Sequence, residues 1–240
     1  MSIDRHAGTV GRARVTGPDA MVEAVLELGI VPFFENPVRG FSIEEMTPPE
    51  FWFDGDELGP WDWKIACVQS GEIAYGKFLW GGKAAFATVE CYRELMNYRR
   101  SLPKYRPSGQ QQKVMDYVSE HGSIGIKEVR QLLGVKKSAA DSLIAKLENQ
   151  TRLVIGDFQR VYRGPDLHYN GWQTASFCKP EDLFGAPAET SGRWKGFPFV
   201  DDSPAISTSR TPEESLQWLR ERVTAIAPDI TPKLLEKLLG

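Results

Sequence analysis

Apolar positions at helical spacing open and close this chain, and period-two alternation occupies stretches between them. In "PDAMVEAVLEL", Val22, Val25, Leu26 and Leu28 share one helical face, with Pro18 suited to a first turn and Gly29 to a stop. After the apolar "IVPFF" come two short helix starts: a capping box from Ser42 to Glu45, and "TPPE", with Thr47 as cap, Pro48 first and Glu50 third. From Trp61 the period becomes two. Trp61, Trp63, Ile65 and Cys67 alternate with Asp62, Lys64, Ala66 and Val68, which predicts a strand with the tryptophans on its core face and the charges on the other. "IAYGKFLW" and "KAAFAT" read as the next strands, joined by a turn at Gly81 and Gly82, and "VECYRELMNYRR" as a helix whose basic end complements its dipole.

The basic, proline-punctuated "YRRSLPKYRPSG" is the expected domain boundary. Beyond it, Ser108 to Gln111 reads as a capping box for a helix that turns Val114, Met115 and Val118 inward and stops at Gly122. "IKEVRQLLG" is a second helix. A third, capped by Ser138 with Asp141, carries Leu143, Ile144 and Leu147 on one face. "RLVIGDF" and "WQTASFC" then read as strands joined by the polar loop "QRVYRGPDLHYNG". That order is the order of a winged helix-turn-helix, in which the third helix enters the major groove and the hairpin contacts flanking backbone. A capping box at Thr211 to Glu214 and a Thr231-Pro232 start open two closing helices, whose Leu216, Trp218, Leu219 and Val223 are expected to dock on the body. The expectation is an α+β protein: a flexible arm over 1–17, an N-terminal helix and antiparallel-sheet domain over 18–107, a winged-helix domain over 108–180, and a loop-rich linker with C-terminal helices over 181–240.

Composition is that of a soluble protein, 41% hydrophobic and 25% charged, and the three scattered cysteines suggest neither a disulfide framework nor a thiolate zinc site. With no apolar leader and no 18-residue apolar run, a cytoplasmic protein without membrane association is expected. Charge changes the picture more. The net charge is −3, yet the segment from Arg93 to Arg163 holds 14 Lys and Arg against 7 Asp and Glu. A local basic footprint is compatible with nucleic acid, and equally with a solvated helical surface.

The words "LGIVPFFENPVRGFSIEEMTP", "LGPWDWK", "IAYGKF" with "GGKAAFAT", "NYRR" and "QTRLVIGDF" together resemble the bacterial AlkZ-related winged-helix family, from about Leu28 through Phe158 with a weaker echo in the C-terminal helices, and more distantly the AlkZ DNA glycosylases. The near resemblance implies a winged-helix protein associated with double-stranded DNA, in a repair-related or regulatory role. The distant one implies excision of damaged bases. Those glycosylases carry a Gln-x-Gln or Gln-x-Asp motif after their first helix. Here the stretch reads "IVPFFEN", without the glutamine, so no catalytic residue is carried over.

Read from the residues, glycosidic cleavage needs a carboxylate beside a pocket for the flipped base. Glu35, Asp62 and Glu72 are the candidates, with Lys77 close to Glu72 in sequence. "GKFLWGGK" fails the spacing of a phosphate-binding loop, and His6, His121 and His168 are too dispersed for a metal site. No cofactor is expected. For DNA the candidates are Lys136, Lys137, Ser138, Ser142 and Lys146 on and before the third helix, and Arg160, Tyr162 and Arg163 in the wing, with Asp141 and Glu148 reducing the positive field. A protein-interaction scaffold built on the same helices is the remaining alternative.

Overall fold

A computed structural model describes residues 14–53, 58–185 and 208–240. Most of the expected arm and of the loop-rich stretch after "KPEDLFG" lies outside them. Val15, inside the expected arm, is fully buried and donates its N–H to the Met46 carbonyl at 3.0 Å. The described residues form ten α-helices and two three-stranded antiparallel sheets, an α+β fold.

The first helix, α1 (Pro18–Leu28), starts at its proline and stops at Gly29 as its sequence predicts. It leads into β1 (Ile30–Pro32) and the short α2 (Ile43–Met46), where the Ser42 side chain accepts from the Glu45 N–H. The "TPPE" start falls one residue later than expected. Pro48 caps a 3-10 turn at Pro49–Phe51, while the Thr47 hydroxyl bonds back to the Ile43 carbonyl.

The largest departure is at "PWDWKIACVQ", a helix, α3 (Pro60–Gln69), and not a strand. Gly59 enters it at φ 55°, where a Cβ would meet the Phe51 carbonyl oxygen at 1.8 Å; only glycine fits there. Pro60 supplies the first turn and Asp62 complements the dipole. The period-two reading failed because this helix has no polar face: it is covered on several sides, so alternation and helical spacing fit its apolar residues equally well. Its charges are also redistributed. Lys64, expected at the surface, is 2% exposed, and the tryptophans are half-buried.

β2 (Ile73–Leu79) and β3 (Lys83–Thr88) form the expected hairpin, and β1 joins to give the order β1-β3-β2. α4 (Val89–Ser101) follows, capped by Thr88. After a 3-10 turn at Pro103–Tyr105 comes α5 (Gln110–His121). Its capping box is half-formed: the Gln111 side chain accepts the Ser108 N–H, while Gly109 occupies the cap position. β4 (Ile124–Gly125), α6 (Ile126–Leu133) and α7 (Lys137–Asn149) come next. α7 begins at Lys137 with Lys136 as an uncapped N-terminus, so the expected Ser138–Asp141 cap is absent; Lys137 pairs with Asp141 at 2.9 Å instead.

β5 (Val154–Arg163) and β6 (His168–Cys178) run much further than the two short strands expected, leaving only four residues of turn. The second sheet has the order β4-β6-β5. α8 (Pro180–Phe184), α9 (Pro212–Ile226) and α10 (Pro232–Leu239) complete the described chain. α9 opens with the full Thr211–Glu214 box, packs against α4, and buries Leu219 and Val223. One connected apolar cluster runs from Val15 to Leu239 and includes residues of both sheets.

Where these parts meet lies Arg99 of α4, fully buried. Its guanidinium donates to the carbonyls of Phe78 at 2.6 Å, Asn149 at 2.8 Å and Leu239 at 3.0 and 2.5 Å, which tie the end of β2, the end of α7 and α10 to one group. The neighbouring Arg100 bonds the Thr151 carbonyl and the Glu181 carboxylate. "NYRR" is thus a structural clasp. Arg99→Leu should leave three buried carbonyl groups short of donors and cost about 3 kcal/mol or more. Urea unfolding of this variant beside the exposed Arg163→Leu, expected within about 0.5 kcal/mol of wild type, checks the assignment; equal small losses would refute it.

Candidate functional site

α7 is two-sided because its apolar residues recur at helical spacing. Ala140, Leu143, Ile144 and Leu147 are buried, and Ser138, Ser142 and Lys146 are exposed along the opposite face. Lys136 and Lys137 are exposed at the helix start, where no side chain caps the first N–H groups. The structure therefore gathers five of the candidate DNA-contacting residues around one uncapped helix N-terminus and the face that continues from it. Such a terminus attracts anions through its free N–H groups and the helix dipole.

The three wing candidates are placed differently. Arg160 forks onto Asp62 of α3, Nε to Oδ1 at 3.2 Å and Nη2 to Oδ2 at 2.6 Å. Its charge is paired within the chain, so it acts as a clasp residue, with its side chain still 42% exposed. Tyr162 is 52% exposed, and Arg163 is exposed with its guanidinium 5.1 Å from the Trp172 ring centre. Both sit near the hairpin tip with the exposed Leu167.

Asp62 and its neighbours dock the hairpin onto α3. Besides Arg160, the Asp62 carboxylate accepts from the Tyr169 hydroxyl at 2.8 Å and Gln173 Nε2 at 3.2 Å. The Trp61 indole N–H donates to the Gly171 carbonyl at 3.1 Å. Burial alone would raise the Asp62 pKa, but the bonds from Arg160 and Tyr169 and the charges of Arg160 and Lys64 outweigh it and hold the carboxyl below its ordinary range. Lys64 donates to the Trp61 carbonyl and lies 3.8 Å from the Trp61 ring centre. Burial pushes its pKa down to about 7, against the pull of Asp62. A cleft of about 270 Å³ opens beside Asp62, lined also by Leu58, Trp63, Arg160, Tyr162 and Tyr169. Asp62 reaches a cavity, but as a firmly ionised ion-pair partner it is a weak proton acceptor.

Glu35 and Glu72 are exposed and line neither described cavity. The carboxylate that combines burial with a cavity is Glu148, which lies on the inner side of α7 and is 1% exposed. Its Oε1 accepts the Lys77 N–H at a long 3.3 Å, and among the described residues it receives no other hydrogen bond. Burial pushes this carboxyl up to about 7, against the charge of Lys77 and that weak bond. The signal was present in the sequence: a glutamate follows Leu147 and stands four residues after Ile144, on the flank of an apolar face. No group of three or more His, Cys, Asp or Glu able to hold a metal occurs among the described residues, and no described helix is long and apolar enough to cross a membrane.

The model of a family described as AlkZ related matches residues 15–240. No curated protein and no solved structure gives a significant match.

The two buried ionisable groups set opposite pH dependences. The folded state keeps a proton on Glu148 that the unfolded chain releases from about pH 4.5, so stability falls as pH rises from there to about 7 and is then level. Lys64 binds fewer protons folded than unfolded between about 7 and 10.5, so its contribution rises over that range. Glu148→Gln should therefore gain on wild type between pH 5 and 8, by an amount on the order of 2–3 kcal/mol. Urea unfolding at each pH measures the difference, and a difference that stays constant across the range would remove Glu148 as its source.

Proposed function

The chain belongs to the AlkZ-related family, and from that premise we propose that it is a winged helix-turn-helix protein that binds double-stranded DNA in a repair-related or regulatory role. The winged-helix unit in this reading spans residues 108–180, between the N-terminal α+β domain and the C-terminal helices. The element order α5, β4, α6, α7, β5, β6, with β4 pairing to β6, supports it. α7 takes the place of the groove-entering helix, and the β5–β6 hairpin that of the wing.

The observation that carries the proposal is the exposed face of α7. Ser138, Ser142 and Lys146 point away from the core, and Lys136 and Lys137 flank the uncapped N-terminus from which that face begins. The small Ser and Ala side chains along it let a helix approach a groove closely, while the lysines neutralise phosphates. Lys137 contributes less than its neighbours because Asp141 already pairs with it. From the wing, Arg163 and Tyr162 are the contacts of this reading.

Titrating a labelled duplex by fluorescence anisotropy over a range of salt tests it. The log–log slope of affinity against salt should be steep, about −0.9 per phosphate neutralised, and Lys136→Ala/Lys146→Ala should make it shallower by about 2. A flat salt dependence, or a double variant indistinguishable from wild type, would count against DNA binding through α7. Adding duplexes with alkylated or abasic lesions separates the alternatives: base release would favour an excision enzyme, and no binding to any duplex a protein-interaction scaffold.

A further inference from the structure

On the inner side of α7, a cavity of about 180 Å³ lies between β2, α7 and the second sheet. Its walls are mainly apolar and aromatic: Tyr75, Ile144, Ile155 and Phe177 are buried there, and Ile126, Ala84 and Ala175 continue the lining. Lys77 and Asp141 complete it with one charge of each sign. Glu148 also lines this space. Gly76 gives it room: a Cβ at that position would meet Glu148 Oε1 at 2.9 Å, so the carboxylate rests against bare backbone.

A carboxylate removed from water is costly unless donors surround it. Glu148 has one long backbone bond to Oε1, and Oε2 receives no hydrogen bond from any described residue. The same helix could have carried glutamine or leucine here at lower cost. Lys77 acts on Glu148 through its charge and its backbone N–H, but no described side chain donates a hydrogen bond to the carboxylate, and the cavity has space for a donor that would. An apolar cavity of about 150 Å³ accommodates a benzene ring, so this one has the size of a single small ring with a polar substituent, below the range of drug-sized pockets.

We propose that this cavity is a binding site for a small ligand with an apolar, one-ring-sized body and a cationic nitrogen donor of the amidinium or ammonium type, whose N–H groups are accepted by Glu148. Tyr75 and Phe177 wall the ring, and Ile144 and Ile155 exclude water from the ion pair. The site does not use the exposed Ser138, Ser142 and Lys146, and it meets the proposed DNA face only where Asp141 at its edge pairs with Lys137.

The charged and titratable groups facing Glu148 are Lys77 and Tyr75 on β2, Tyr92 on α4 and, on its own helix, Asp141. β3, β5, β6 and α6 present only Ala84, Ile155, Ala175, Phe177 and Ile126 to the cavity. Binding a cation requires the ionised carboxylate, so affinity should fall about tenfold from pH 8 to pH 6 as Glu148 takes up its proton.

Isothermal titration calorimetry of the full chain with benzamidine tests the site, with benzoate as the anionic ring of similar size. At pH 8 benzamidine should bind saturably at one site, benzoate should not, and Glu148→Gln should weaken benzamidine at least tenfold. That variant removes a buried charge and keeps the shape, so its fold is retained. Ala175→Leu, which fills the cavity while leaving Glu148 in place, should also abolish binding. No benzamidine binding at pH 8, equal binding of benzoate, or undiminished binding to either variant would overturn the proposal and leave Glu148 as a neutral acid packed in the core.

Discussion

A guanidinium buried without a carboxylate partner is the constraint on which this architecture turns. Arg99 cannot shed its charge, so every N–H it brings inside must meet an oxygen. Those oxygens are the carbonyls of Phe78, Asn149 and Leu239, at or beside the ends of β2, α7 and α10. Chain ends of regular elements are where unpaired carbonyls are found, and Arg99 converts three such liabilities into one junction. The first sheet, the two-sided helix and the C-terminal helix are held at fixed mutual positions by that requirement.

A second tie joins the second sheet to α3. The Asp62–Arg160 fork, with Tyr169 and Gln173 on the same carboxylate, fastens the β5–β6 hairpin to α3. The Trp61–Gly171 bond continues that contact. α7 turns its lysines and serines outward and Glu148 inward over the cavity. One helix therefore carries two surfaces of different chemistry, one exposed and basic and one buried around a carboxylate.

Much of this was legible in the sequence, and the failures have physical causes. α1, α4 and α9 were legible because their caps and one-sided apolar periods agree with their burial, and the β2–β3 hairpin because its strands flank a Gly-Gly turn. α3 was not, because a helix enclosed on several sides loses the polar face that distinguishes a period of 3.6 from one of 2. The outer halves of β5 and β6 were read as loop because the residues they turn toward α3 are polar or glycine (Tyr169, Gly171, Gln173), so burial alternates without an apolar alternation in the sequence. At the site, the exposed face of α7 followed from helical spacing alone. The commitment of Arg160 to Asp62 did not, since its partner lies 98 residues away in the chain. Glu148 was visible as a residue and misjudged as a surface charge, because its inward position depends on β2 approaching α7 through Gly76.

The hairpin clasp also limits modularity. A segment cut out to contain only the helices α5 to α7 and the second sheet would carry Arg160 without its counter-ion, Tyr169 and Gln173 without their acceptor, and Phe158 without Tyr75 and Lys64 beside it. It would also lack the arginine that closes the end of α7. The surface that this hairpin and the end of α7 present is therefore completed by α3 and α4, from outside the segment itself.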